Sequence, residues 1–262
     1  MKTVVVKLGG HALDRLDVDA PVLGDLASDV AALRIEGTSV VVVHGGGPQI
    51  AALLTSLAMP SSFVEGLRVT DDATMEVVAT ALSFVNLRIV ATLNAVGLRA
   101  VGLSGADAGM LHATALGEPW GRAATAPVVD PTLVRDLLHL GYTPVFSSVG
   151  LDEHGGLLNC NADTMAGAMA AALETELVLL SDVDQVRADP DDESSVIEAL
   201  TRSEVHAMLE NGSAREGMRP KLTAALDALE GGAPRVRLAN GRRAHALSQL
   251  LSGALAATEV TA

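Results

Sequence analysis

Val4-Val5-Val6-Lys7-Leu8-Gly9-Gly10 opens the chain, and a second stretch of the same kind, Val40-Val41-Val42-Val43-His44-Gly45-Gly46-Gly47, follows it. Each stretch begins with a run of valines, which is typical of a buried strand, and ends in consecutive glycines. Consecutive glycines let the backbone approach an anion closely, and the amide groups at a helix start favour negative charge. One such loop is a weak signal. Two of them, one carrying a lysine, predict a site for a phosphoryl group in transit.

Composition limits the fold class and the cellular setting. The 262 residues are enough for one large α/β domain or two fused lobes. Hydrophobic residues make up 49% and aromatic residues only 2%, so the core must consist of Ala, Val and Leu, which favours helices packed closely on parallel strands. A single cysteine excludes an internal disulfide and is consistent with a reducing cytoplasm, where we expect the protein.

The charge balance argues against two classes of partner. The formal net charge is −14, from 18 basic and 32 acidic side chains, whereas nucleic acids and anionic membrane surfaces require basic patches. No signal-like segment opens the sequence, and no apolar run reaches the roughly 20 residues of a membrane helix. We therefore expect neither nucleic acid nor a membrane as a partner.

Apolar runs alternate with segments of helical periodicity. Strands are predicted at 3–6, 39–43, 99–103, 143–147, 176–180 and 234–238, and helices at 22–34, 72–95, 131–140, 161–173, 217–230 and 243–256. This alternation predicts an α/β fold, a three-layer αβα sandwich with a mainly parallel central sheet. Residues 60–71 and 149–158 interrupt the alternation, and Asp152 to Gly156 resembles the turn of a hairpin. Residues 184–195 are expected to form a polar surface loop.

Two polar segments each allow a structural and a functional interpretation. Asn159-Cys160-Asn161-Ala162-Asp163 is a good helix cap, but the spacing of two also places Asn159 and Asn161 on one face of an extended chain. Lys221 lies in the first turn of a predicted helix, where the helix dipole disfavours a cation. It is either a screened surface lysine or the partner of a bound anion.

Taken together, the motifs resemble the amino acid kinase family over essentially the whole chain. Their order is that of the family: the Lys7-Leu8-Gly9-Gly10 start, His44 to Pro48, Gly66 to Asp71, Gly102 to Gly105, Asn159 to Asp163, Ser181 to Asp184, and Gly217 to Lys221. The segments around Arg68 and Asn159 separate the chain from the family's kinases of aspartate, uridylate and carbamate. They resemble those of members that phosphorylate N-acetyl-L-glutamate.

This resemblance implies an ATP-dependent transfer of phosphate to the side-chain carboxylate of N-acetyl-L-glutamate, a step toward arginine. Because a glutamate carboxylate has a pKa of about 4.3, it is ionised at neutral pH and needs no general base. Catalysis should consist of alignment and charge neutralisation, with Mg²⁺ held mainly by phosphate oxygens and water rather than by a protein metal site.

The resemblance also assigns roles to individual residues. Lys7 would hold the transferring phosphoryl group, Lys221 would draw charge toward ADP, and Asp163 would fix both ammonium groups. Arg68 would clamp the substrate α-carboxylate. The remaining substrate-side residues are Gly45, Gly46, Asn159 and Asn161; phosphate would meet Gly9 and Gly10; nucleotide contacts would fall on Asp182, Val183, Asp184, Gln185, Val186, Arg187, Ser213, Ala214 and Arg215.

The family pattern further implies two lobes and a homodimer. Residues 1–174 would bind the amino acid and form the dimer, and residues 175–262 would bind ATP, with the cleft at the carboxyl ends of the strands. The chain begins at its first strand, so we expect a dimer that is insensitive to arginine.

Three departures from the family pattern affect the ligand sites. Gln185 replaces a glycine of the nucleotide loop, which would be strained if that position needs positive φ. Residues 84–88 lack the usual glycine and lysine, and residues 117–127 replace a glycine-rich hairpin.

Alternative functions differ in their agreement with the sequence. A kinase for a carrier-protein-linked glutamate or aminoadipate would have to bind an acidic protein despite the charge of −14. A kinase of another N-acylated acidic amino acid is compatible with every motif. A non-catalytic sensor is disfavoured by the retention of Lys7, Asp163 and Lys221 together. A dinucleotide-binding domain would need a Gly-x-Gly-x-x-Gly fingerprint, which the first strand lacks.

Overall fold

The computed structural model describes residues 2–9, 21–125, 127–189, 191–214 and 217–262. The helices are α1 (Pro21–Ile35), α2 (Gly47–Ser56), α3 (Asp72–Ala95), α4 (Thr132–His139), α5 (Ala162–Ala172), α6 (Arg202–Glu210), α7 (Met218–Glu230) and α8 (Ala246–Leu251). The strands are β1 (Lys2–Leu8), β2 (Thr38–His44), β3 (Phe63–Val64), β4 (Leu67–Arg68), β5 (Ala100–Ser104), β6 (Leu111–His112), β7 (Ala115–Gly117), β8 (Gly121–Ala124), β9 (Val128–Val129), β10 (Thr143–Ser147), β11 (Val149–Leu151), β12 (Leu157–Asn159), β13 (Glu176–Ser181), β14 (Val186–Arg187), β15 (Val196–Ile197), β16 (Ala199–Thr201), β17 (Val236–Asn240) and β18 (Thr258–Thr261).

The main sheet has the strand order β16-β18-β17-β13-β1-β2-β10-β5. Its pairs are parallel except β17 with β18. The valine-rich strand β1 lies between β13 and β2, and the register places Lys7 beside Leu179 and Val43. Because these three strands run parallel, the loops that leave them meet at one edge of the sheet.

Helices cover both faces of this sheet. Along β1, Val4 and Val6 belong to the core cluster that contains residues of α1, α3 and α8, whereas Val5 points to the opposite face and belongs to the cluster with residues of α4, α5, α6 and α7. This alternation follows from the period of two in a strand. The predicted three-layer αβα sandwich with a mainly parallel sheet is therefore confirmed.

Small residues allow two helices of one face to approach closely. A Cβ atom at Gly167 on α5 would lie only 2.8 Å from the carbonyl oxygen of Ala224 on α7. One at Gly231, just after α7, would lie 2.5 Å from the Cβ of Ala171. The scarcity of aromatic residues is thus compatible with a dense core, because α5 and α7 pack almost backbone to backbone.

A second sheet, with the order β7-β8-β12-β11-β6-β9, lies beyond the carboxyl ends of the main strands. The predicted hairpin at 149–158 is present as the antiparallel pair β11 and β12, with Asp152 at its turn accepting from the amides of His154 and Gly156. A smaller hairpin pairs β3 with β4. These hairpins bring Arg68 and Asn159 to the same side of the molecule.

Some local predictions were wrong. The helix expected at 243–256 extends only from Ala246 to Leu251, and the strand β18 and the helices α2 and α6 were not predicted. The polar stretch 184–195 contains the short strand β14, which pairs with β15 just after the stretch. A capping box between Thr201 and Glu204 was a signal in the sequence that could have located α6.

Helix α3 is long and apolar enough to cross a membrane by length and composition, so the expectation that no segment reaches this limit was wrong. However, Leu82, Val85, Ile89 and Leu93 are almost completely buried against the protein core. Packing therefore accounts for the apolar residues on this face of the helix, whereas Phe84 and Leu87 on the other face are exposed.

Candidate functional site

Two cavities open near the carboxyl ends of the central strands. The first has a volume of about 410 Å³ and includes Gly45, Gly46, Arg68, Asn159 and Asn161 in its lining. These are all the residues predicted to bind the amino acid substrate. The second has a volume of about 320 Å³, and its lining includes Lys221 together with residues predicted to bind the nucleotide.

A buried ion pair joins Lys7 to Asp163. The Lys7 ammonium lies 2.7 Å from Oδ1 of Asp163, and both side chains are 8% exposed. Lys7 shares the face of β1 that carries Val5, which directs it toward α5. Asp163 lies in the first turn of α5, where the helix dipole stabilises a carboxylate. The predicted meeting of these two residues is therefore present in the fold.

The loop after β2 brings bare backbone to the first cavity. Gly46 precedes α2, and a Cβ atom there would lie 2.9 Å from Leu82. A Cβ atom at Gly45 would lie 3.4 Å from the Cβ of Ala162 at the start of α5. A side chain at position 46 would have to displace the end of the Leu82 side chain, and the two glycines present peptide groups rather than side chains to the cavity.

Arg68 is a buried cation on the wall of the first cavity. Its guanidinium donates to the hydroxyl of Ser61 and to the carbonyl of Gly47, and it stacks 4.6 Å from the centre of the Phe63 ring. Burial lowers the pKa of Arg68, but a guanidinium remains protonated at neutral pH. Among the ion pairs of the described residues, none includes Arg68, so its charge is available to an anionic ligand.

Thr70, for which no role was predicted, connects two of the predicted substrate residues, Arg68 and Asn159. Its hydroxyl accepts from the side-chain amide of Asn159 at 3.1 Å and donates to the carbonyl of Arg68 at 2.9 Å. Thr70 is fully buried. Asn161 is both a helix cap and part of the cavity wall. Its side-chain oxygen accepts from the Asp163 amide at 2.8 Å, and the residue lines the first cavity.

Most of the predicted nucleotide residues that the structure describes surround the second cavity. Its lining includes Asp182, Val183, Gln185, Arg187, Ser213 and Ala214. Asp184 instead accepts from Asn240 and Arg243, and Val186 is buried in the core. Gln185 is not among the residues with positive φ, so the backbone at this position is not left-handed and glutamine is not strained there. Its side-chain amide donates to the carbonyl of Ala257.

Lys221 is outside ion-pairing distance of Asp163 in this conformation. Its ammonium donates to the carbonyl of Gly217 at 3.0 Å, and the ion pairs of the described residues do not join it to Asp163. Gly9 also has a backbone partner, since its amide donates to the Leu180 carbonyl at 2.8 Å. Its amide is therefore occupied in this conformation.

Two predicted site residues, Gly10 and Arg215, lie outside the described residues. Within the described ranges, no group of three or more His, Cys, Asp or Glu side chains is placed to hold a metal ion. Cys160 lines the first cavity, but burial raises the pKa of its thiol to about 12, which makes it a poor nucleophile.

Comparison with known proteins extends this picture. The model of the amino acid kinase family matches residues 2–240. An acetylglutamate kinase of Symbiobacterium thermophilum is 43% identical, with 94% of this chain and 86% of that protein covered. The chloroplastic acetylglutamate kinase of Arabidopsis thaliana is 39% identical, with coverage of 99% and 75%. A solved structure from Streptococcus mutans UA159 superposes with a TM-score of 0.80 at 27% identity, covering 91% of this chain and 94% of that one.

The family match spans β1 to β17, and therefore both cavities and the strands that carry Lys7, Gly45 and Asp182. The architecture, the position of the glycine loops and the sequence relationship agree. This chain belongs to the amino acid kinase family.

Proposed function

We propose that the protein transfers the γ-phosphoryl group of MgATP to the side-chain carboxylate of N-acetyl-L-glutamate. The observation that carries this proposal is Arg68, a buried guanidinium without a carboxylate partner among the described ion pairs, in a cavity that also presents Gly45, Gly46 and Asn159. A planar guanidinium matches the geometry of a carboxylate. The acceptor has two carboxylates, and Arg68 would bind the α-carboxylate while the side-chain carboxylate receives the phosphoryl group.

The order of the strands supports a transfer between the two cavities. The acceptor loop follows β2 and the nucleotide loop follows β13, and β1 lies between these strands. Lys7, near the end of β1, therefore occupies the boundary between the two sides. We propose that its ammonium neutralises the phosphoryl group as it passes and that Asp163 holds this ammonium in place.

The remaining residues complete a mechanism without a general base. The acceptor carboxylate is already ionised at neutral pH, so the barrier comes from bringing two anions together. Peptide amides of the Gly45–Gly46 loop would bind the acceptor, and Lys221, in the nucleotide cavity, would stabilise the charge that develops on ADP. Mg²⁺ would enter with ATP as part of the substrate, held by phosphate oxygens and water.

A coupled assay with MgATP tests the proposal on a panel of acceptors: N-acetyl-L-glutamate, free glutamate, N-acetylaspartate and N-acetyl-aminoadipate. N-acetyl-L-glutamate should give the highest kcat/KM. A higher value for another acceptor would reassign the substrate within the same chemistry. ATP binding without turnover of any acceptor would identify a sensor instead.

Arg68→Met should raise KM for N-acetyl-L-glutamate by about 10- to 100-fold, the value of a lost charged hydrogen bond, and leave KM for ATP unchanged. Arg99→Met is a matched control, because Arg99 also stacks on a ring, 3.9 Å from the centre of Tyr142, but flanks the amino end of β5. An unchanged KM in the Arg68 variant would remove this residue from the acceptor site.

We also propose the division into lobes near residue 174 and a homodimer. The described residues that line the first cavity all precede position 174, and those of the second all follow position 175. Phe84 and Leu87 of α3 are 56% and 66% exposed and lie one turn apart, which supports an apolar contact between two copies. Light scattering of the wild type and of Leu87→Glu tests the dimer, and a monomeric wild type would contradict it.

A further inference from the structure

A buried polar pair lies behind the Gly45–Gly46 loop and has no role in the mechanism above. His44, the last residue of β2, is fully buried, and Asn86 of α3 is 7% exposed. The side-chain nitrogen of Asn86 lies 3.1 Å from His44 Nε2 and donates to the carbonyl of Val145 at 2.9 Å. On the other side of the imidazole, Nδ1 lies 2.9 Å from the carbonyl oxygen of Gly45.

These contacts allow one arrangement of protons. A carbonyl oxygen only accepts, so Nδ1 of His44 must carry the proton that it shares with Gly45. The nitrogen of Asn86 only donates, and its contact with the Val145 carbonyl fixes which end of the amide faces the ring. Nε2 of His44 is therefore the acceptor. Burial lowers the pKa of His44 to about 4, which keeps the ring neutral at neutral pH.

Gly102 of β5 supplies independent support. A Cβ atom at this position would lie 2.1 Å from Oδ1 of Asn86, so any other residue would displace the amide. Gly102 is not among the glycines with positive φ, and no turn requires it. It belongs to the motif Gly102 to Gly105, and it leaves room for Asn86 between the helix and the sheet.

We propose that His44 and Asn86 are positioning residues for the acceptor substrate. In a trans peptide, C=O and N–H point in opposite directions. The hydrogen bond from His44 Nδ1 turns the Gly45 carbonyl back toward the ring, and the amide N–H of Gly46 therefore points away from the ring, to the side of the cavity that Gly46 lines. Asn86 holds the ring in the tautomer that makes this bond. The link to the acceptor rests on the proposed function.

Two substitutions of His44 distinguish the roles of its two ring nitrogens. His44→Asn places an amide donor near the position of Nδ1 and should retain most of the activity. His44→Gln preserves a polar atom near Nε2 but loses the bond to Gly45. We expect His44→Gln and Asn86→Leu to reduce kcat/KM for N-acetyl-L-glutamate about 10- to 100-fold, as small displacements of positioning groups do, without a change in KM for ATP. Gly102→Ala should act in the same direction.

Asn94→Leu is the matched control on the same helix. The oxygen of Asn94 accepts from the Ala100 amide at 2.8 Å, at the amino end of β5 and away from the loop. This variant should lose stability without losing kcat/KM. Wild-type kcat/KM in both folded His44→Gln and folded Asn86→Leu, or equal losses in His44→Asn and His44→Gln, would overturn the proposal.

A measurement without substrate tests the pair even if the proposed function fails. In ¹⁵N spectra of histidine-labelled protein, assigned by comparison with His44→Asn, His44 should be the neutral Nδ1–H tautomer. Asn86→Leu should lower the population of this tautomer, because no donor then faces Nε2, while the contact of Nδ1 with the Gly45 carbonyl remains. An Nε2–H tautomer in the wild type would refute the proposed hydrogen bonds of His44 with Gly45 and Asn86. Failure of the acceptor assay alone would refute only the substrate assignment.

Discussion

The ammonium of Lys7 and the carboxylate of Asp163 lie 2.7 Å apart, although 155 positions separate them in the sequence, from 7 to 163. The two groups meet because Lys7 on β1 faces α5 and Asp163 lies in the first turn of that helix. Both groups are nearly buried, so each depends on the other for its solvation. This dependence makes the pair both a stability element and the centre of the proposed reaction.

Lys7→Met should destabilise the fold by about 3 kcal/mol, because it leaves the Asp163 carboxylate buried without a partner. It should also abolish phosphoryl transfer. The double variant Lys7→Met with Asp163→Leu should regain much of the stability but none of the activity. Urea unfolding and the coupled assay measure the two effects, and a fully stable single variant would contradict the description of the pair.

Lys221→Ala should reduce kcat strongly and change KM for the acceptor little, because the proposed contact with ADP forms in the transition state. Arg219→Ala provides the control. Arg219 precedes Lys221 by two residues and donates to the carbonyl of Leu209, outside the cavity lining. Steady-state kinetics of both variants decide the role, and a raised acceptor KM with unchanged kcat would refute it.

Glu176→Gln should destabilise the fold by about 3 kcal/mol without affecting catalysis. The Glu176 carboxylate, 6% exposed, pairs with Arg235 and Arg237 at the amino end of β13, opposite the site. Removing its charge leaves the buried guanidinium of Arg237 without a carboxylate partner, whereas Arg235 retains its ion pair with Glu259. In this variant, urea unfolding should therefore show a lower free energy of unfolding while kcat stays unchanged. A loss of kcat in the folded protein would contradict this expectation.

Because the pKa of His44 is lowered in the folded chain, we expect the protein to lose stability in acid. The pKa of His44 is lowered to about 4 in the folded chain from the ordinary 6.5, so the unfolded chain binds more protons between these values. Stability should fall as pH decreases from 6.5 toward 4, by about 3 kcal/mol from this group alone. Unfolding free energies of the wild type and His44→Asn across this range measure the effect. Parallel pH curves would contradict the lowered pKa.

Several elements were predictable because their signals are local. The valine runs of β1 and β2 and the period of α3, which Asp71 caps, located these elements to within a few residues. β18 was missed because Thr258–Thr261 is short and mixed in character. Its pairing with β16 and β17 depends on segments distant in sequence.

The candidate site shows the same division. Arg68, Asn159 and Asn161 were predicted from motif resemblance, and the cavity contains them all. Thr70 and Asn86 were not assigned roles, because a buried hydroxyl or amide has no sequence pattern that distinguishes it from a surface one. Their partners, Asn159 and His44, come from other elements.

The sequence by itself determined the alternation of strands and helices, the family and the glycine loops, since each depends on residues that are neighbours along the chain. Only the tertiary structure decided which buried polar groups satisfy one another, including the pairing of Asn86 with His44 and of Asn159 with Thr70. The physical reason is that a hydrogen bond or ion pair inside the core depends on distance in space, and the packing of distant segments sets that distance.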